Sequence, residues 1–88
     1  MSLTLATPGE LKGVLELEGY TVIKESEFYW FMAKNPSDEP LNIPKESKSG
    51  FVSPDVMDYI KFETQMSHNK FMLLKDSLPE KAKGKTPE

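Results

Sequence analysis

Apolar residues recur along this chain with two different periods, and the switches between them mark its elements. Thr7-Pro8-Gly9-Glu10 reads as the start of a helix: Thr at the N-cap, Pro at the first helical position and Glu three residues on. Leu11, Val14 and Leu15 follow at helical spacing and form the stripe expected to be buried, and Gly19 offers a left-handed stop. A helix over about 8–18 results. Tyr20-Thr21-Val22-Ile23 is β-branched and aromatic and predicts a strand, followed by a polar turn, Lys24-Glu25-Ser26-Glu27. Residues 28–34, Phe-Tyr-Trp-Phe-Met-Ala-Lys, carry the strongest strand signal. Asn35-Pro36-Ser37-Asp38-Glu39-Pro40 is turn chemistry throughout, and Leu41-Asn42-Ile43-Pro44 predicts a short third strand whose proline suits a sheet edge.

The second half repeats the helix-start grammar. After a polar loop at 45–50, Ser53-Pro54-Asp55 supplies an N-cap, a proline and an acid for the first turn. Val56, Tyr59, Ile60 and Glu63 then predict a helix over about 54–65. Ser67 caps a short helix over 68–76 carrying Phe71, Met72 and Leu74. Residues 77–88 offer almost nothing to bury and read as a disordered, Lys-rich tail after a single domain at 1–76. The predicted fold class is α+β: a two-layer α-β-β-β-α sandwich, a three-stranded antiparallel sheet with helices on one face, plus the short C-terminal helix.

Length and composition narrow the function classes. A chain of 88 residues holds one small core. It has no Cys, which excludes a disulfide framework and a Cys-based zinc site. The start, MSLTLATPGE, has neither a basic nor an apolar leader region, so no signal peptide is expected, and no apolar run approaches membrane-spanning length. A cytoplasmic protein with no membrane contact is the expectation. The chain has 11 cationic and 14 acidic residues, and every cation is Lys. Arg is the residue best suited to bidentate recognition of phosphate and guanine. Its absence, with a net charge of −3, disfavours nucleic acid as a partner.

Candidate chemistry is sparse. The single histidine, His68, sits just after a helix cap, with no second His to build a metal set and no nucleophile at a recognisable spacing. Carboxylates are scattered (Glu16, Glu18, Glu25, Glu27, Asp38, Glu39, Asp55, Asp58, Glu63) and read as solvated surface. The glycines are never paired, so there is no phosphate loop. No cofactor, metal or catalytic residue is assigned.

One feature stands out. Phe28, Tyr29, Trp30 and Phe31 are consecutive. In a strand, Phe28, Trp30 and Met32 take one face and Tyr29, Phe31 and Ala33 the other. Both faces are apolar, whereas a sheet with helices on one face alone should alternate. Something is expected to cover the second face: a partner subunit, another protein, stacked bases, or this chain's own residues 68–76. Phe28, Tyr29, Trp30, Phe31 and Met32 are therefore the candidate partner-binding residues, for a homodimer or another protein. Lys24, Lys34, Lys45 and Lys48 border the strands and form a candidate RNA-binding rim.

The ordered elements resemble the HicA/YcfA-like proteins of bacterial toxin–antitoxin systems. The resemblance rests on a helix ending in Glu18-Gly19-Tyr20, a hairpin, a strand ending Leu41-Asn42-Ile43-Pro44-Lys45, a helix after Val52-Ser53-Pro54, and the run from Ile60 to Phe71. It covers about residues 8–72. It implies a double-stranded-RNA-binding-domain-like fold and, in the family's toxins, mRNA cleavage. The family's catalytic histidine opens the second strand. Here that stretch is Ser26-Glu27-Phe28-Tyr29-Trp30-Phe31, and Phe28 or Tyr29 takes the histidine's place. Neither supplies a general base at neutral pH. The resemblance thus implies a member without the nuclease chemistry: a non-catalytic binding module, with RNA binding or residual mRNA-interferase action as the alternative.

Overall fold

A computed structural model of the chain describes residues 4–78. Its elements run α1 (Pro8–Leu17), β1 (Thr21–Glu25), β2 (Tyr29–Ala33), β3 (Leu41–Pro44), α2 (Pro54–Thr64) and α3 (His68–Asp76). The order and class are those the hydrophobic pattern predicts, an α+β layer pair with a three-stranded antiparallel sheet in the order β1-β2-β3.

The helix starts are fixed by local chemistry. At α1 the Thr7 side chain accepts from the Glu10 N–H at 3.1 Å, and the Glu10 carboxylate accepts from the Thr7 N–H at 2.9 Å, closing the capping box. Ser53 and Ser67 cap α2 and α3 in the same way, accepting from the N–H of Val56 and Lys70. Gly19 ends α1 with φ +100°, a conformation that costs a Cβ-bearing residue about 1–2 kcal/mol. Gln65 takes the left-handed cap of α2 with φ 57°.

The first strand runs two residues further than its β-branched stretch. Lys24 pairs with Phe31 and Glu25 with Trp30, after a bulge at Ile23. The turn is therefore shorter than expected, Phe28 belongs to it, and the second strand begins at Tyr29. Pairing, not side-chain type, decides here: an edge strand keeps its backbone ladder while exposing polar side chains.

All three helices feed one core. Leu11, Val14 and Leu15 of α1, Met57 and Ile60 of α2 and Phe71 of α3 pack with Met32, Leu41 and Ile43 of the sheet. Each such fully buried side chain contributes roughly 1.5–3 kcal/mol. The core also takes two contributions that the pattern does not announce. Leu78 is buried, with its side chain against Gly13, where a Cβ would stand 2.9 Å from Leu78 Cδ2. The packed unit thus extends past the expected boundary at 76. The rest of the segment expected to be disordered, 79–88, lies outside the described residues. At the other end Ala6 is buried and its carbonyl accepts from the Val52 N–H at 2.8 Å.

Candidate functional site

Alternation along β2 divides the aromatic run. Trp30 and Met32 face the helices, and their register partners Ile43 and Leu41 are buried beside them. Tyr29 and Phe31 face the other way, with ring centroids 6.4 Å apart. Their register partners on that face are Pro44 and Asn42 of β3 and Lys24 of β1. This second face is open among the described residues. Tyr29 is 44% exposed, Lys24 and Asn42 are exposed, and Phe31 is half-buried by its neighbours. Ile23 at the bulge is exposed on the adjacent edge. The row closes only at Ala33, which is buried.

The five aromatic-run candidates therefore separate by position. Tyr29 and Phe31 lie on the open face. Phe28, expected on the Trp30 face, is carried by the turn and is 66% exposed. Met32 is fully buried against the helices and has no surface to offer a partner, a correction that follows from its place on the helix side of the sheet. Trp30 is half-buried on the same side. The chain's own residues 68–76 do not cover the open face: α3 packs along α1, and Phe71 enters the core from the helix layer.

The Trp30 ring has its own environment between α1 and the sheet. Lys12 Nζ lies 5.3 Å from the ring centroid and Lys45 Nζ 5.9 Å. Each lysine also pairs with a carboxylate, Lys12 with Glu16 and Lys45 with Glu25. These cation–π contacts fasten the sheet margin to α1.

The four candidate rim lysines do not converge. Lys24 stands on the open face opposite Phe31. Lys45 turns to the helix side, held by Glu25 and the Trp30 ring. Lys34 lies over the Tyr20 ring at 5.4 Å. Lys48 is exposed in the loop after β3. One cation on the face is a thin electrostatic base for a phosphate backbone.

His68 is more than a solvated side chain. The buried Thr4 hydroxyl lies 2.6 Å from His68 Nδ1 and accepts from Lys61 Nζ at 2.9 Å. These contacts tie the N-terminal segment to α2 and α3 across more than fifty residues of sequence. Lys61 also lies 3.9 Å from Asp58 Oδ1. No sequence periodicity reports this cluster, because its three polar members come from three separate elements. With Thr4 only 3% exposed, the hydroxyl is a pin, not a nucleophile open to substrate.

A second polar group gathers at the far end of the sheet. Burial pushes the Tyr20 phenol above its ordinary range, reinforced by Glu18, Asp38 and Glu63. Burial likewise raises Tyr59, with Glu63 and Glu39 adding to it. The carboxylates disfavour a phenolate beside them. Among the described residues no three His, Asp or Glu side chains come together as a metal set. No described helix is long and apolar enough to cross a membrane.

Comparison with family models, with curated proteins and with solved structures finds no match to this chain. Of the two residues that the sequence resemblance sets in place of a histidine, Phe28 is exposed in a turn and Tyr29 lies on the open face.

Proposed function

We propose that this chain is a small, non-catalytic docking module that binds another polypeptide through the open face of its sheet. The observation that carries this reading is the pair of exposed Tyr29 and half-buried Phe31, on a strand whose other face packs against the chain's own helices. An aromatic pair on a rigid sheet gives a partner large apolar area at little cost in side-chain entropy. Further exposed apolar residues are spread over other elements: Leu17 on α1, Phe51 in the loop after β3, Tyr59 and Phe62 on α2, and Leu73 on α3. If the family resemblance is a true relationship, the fold has kept its sheet and exchanged cleavage for binding.

Selection of a random peptide library on the folded domain tests this, with a Tyr29→Ser/Phe31→Ser variant as the counter-target. Peptides retained by the wild type and lost on the variant are the expected result. Peptides that bind both equally would overturn the reading. A parallel RNA titration by fluorescence anisotropy is expected to stay flat at low salt. Binding that weakens steeply with added salt would instead favour the RNA alternative.

A further inference from the structure

We infer that His68 is an acid-operated latch: protonation of its imidazole releases the N-terminal strap, residues 4–6, from α2 and α3. The inference is independent of the open sheet face.

The strap is held by polar contacts along its length. The Thr4 hydroxyl meets His68 Nδ1 at 2.6 Å and Lys61 Nζ at 2.9 Å. The Leu5 carbonyl accepts from Lys75 Nζ at 3.0 Å, and the Ala6 carbonyl from the Val52 N–H at 2.8 Å. Thr7 then closes the capping box of α1 with Glu10. Histidine is the side chain that ordinarily changes charge between about pH 5 and 8. His68 is the only histidine of the chain, so of these contacts the one at Thr4 alone depends on it.

Proton counting makes that contact conditional. Lys61 has only protons to offer, so it donates to the Thr4 oxygen. With neutral His68 the Thr4 hydroxyl donates its own proton to Nδ1. A second proton on the imidazole sits on Nδ1 and reverses this. Nδ1–H and Lys61 then both aim at one oxygen, and the Thr4 proton has no acceptor in a site where Thr4 is 3% exposed. Two cations would also share that oxygen. His68 is moreover the first residue of α3, where the free N–H groups of the opening turn disfavour a further positive charge.

The surrounding charges do not offset this. Residues 4–7 and the turn at 65–67 carry no charged side chain. On α2, Asp58 lies 3.9 Å from Lys61 and is exposed, and Glu63 acts on Tyr20 and Tyr59. On α3, Lys70 pairs with Glu18 of α1 at 3.1 Å and Lys75 faces Glu10 at 3.8 Å. Among the described residues no carboxylate pairs with the His68 ring. Freed from Thr4, the ring takes its second proton in water without these costs. Acid therefore favours the released strap.

Amide hydrogen exchange of the full chain, read by nuclear magnetic resonance at about pH 5.5 and about pH 7.5, tests this with wild type, His68→Asn and Thr4→Val. Asn keeps an oxygen that can accept from Thr4 and takes no proton in this range. Comparing variants at one pH removes the intrinsic pH dependence of exchange. The Val52 amide, which donates to the strap, is expected to exchange roughly tenfold faster in wild type than in His68→Asn at the lower pH, and at the same rate at the higher. In Thr4→Val it is fast at both, because the latch has lost its oxygen. The Tyr20 amide, bonded to the Leu15 carbonyl at 2.9 Å, keeps one rate in wild type and His68→Asn. Equal Val52 rates in wild type and His68→Asn at the lower pH overturn the latch. So does an equal acceleration at Tyr20, which would place the acid effect in the whole fold. Should His68→Asn fail to fold, the wild type decides alone. The Val52 amide resonance is expected to shift with the same midpoint as the His68 ring, and a Val52 resonance indifferent to the ring's titration overturns the inference.

Discussion

Tyr29 and Phe31 stand side by side on one face of β2, ring centroids 6.4 Å apart, while Trp30 and Met32 between and beyond them are turned into the helix side. One strand therefore does two jobs. Truncation should separate them. Met32→Ala removes a fully buried side chain and is expected to cost about 2–5 kcal/mol. Tyr29→Ser takes away a half-exposed ring and its cross-strand contacts, at a cost below about 1 kcal/mol. Urea denaturation of the two variants reads the difference directly. Equal losses would mean that the open face is structural.

The two-sided apolarity of residues 28–33 is legible in the sequence, and so are all three helices, because Thr7, Ser53 and Ser67 announce their starts by local chemistry. Which face of the strand stays open is not legible. It depends on where the helices land, and α3 lies against α1 rather than beneath the sheet. The second half of β1 is hidden for a related reason. Lys24 and Glu25 look like a turn, and only their pairing with Phe31 and Trp30 makes them strand.

The Thr4 pin makes a separate prediction. Lys61 can only donate to the Thr4 oxygen, so the arrangement that leaves no proton unpaired has the Thr4 hydroxyl donating to His68 Nδ1. Neutral His68 is then the tautomer protonated at Nε2, which ring nitrogen chemical shifts report. Thr4→Val keeps the shape but leaves both partners short, with an expected loss of about 1–3 kcal/mol; Thr4→Ser should retain most of the stability.

Leu78 tests where the folded unit ends. It is 6% exposed and sits on Gly13, although it follows α3 and lies between Ser77 and Pro79 in sequence. It stands at helical spacing from Phe71 and Leu74, but beyond the end of α3 at Asp76. Leu78→Ala should cost about 2 kcal/mol, and a chain stopped after Ser77 should lose a similar amount in thermal or chemical denaturation. Unchanged stability in both would return the boundary to α3.

Tyr20 gives the fold a pH dependence on the alkaline side. Burial first, then Glu18, Asp38 and Glu63, hold its phenol above the ordinary value of 10.0. The folded chain therefore keeps a proton that the unfolded chain releases. The stability this contributes is fully present below the ordinary value and is lost as pH rises through the higher folded one. Denaturation at a series of alkaline pH values should show stability falling above pH 10, and Tyr20→Phe should flatten that fall. A slope unaffected by the substitution would assign it elsewhere.

The most direct test of the central claim is a residue-resolved nuclear magnetic resonance titration of the labelled chain with a peptide selected on the wild type. Docking through the open face predicts shifts concentrated at Ile23, Lys24, Tyr29, Phe31 and Asn42, with Phe62 and Leu73 unmoved although both are exposed. Shifts centred on Phe62 or Leu73, with Tyr29 and Phe31 unmoved, would contradict it.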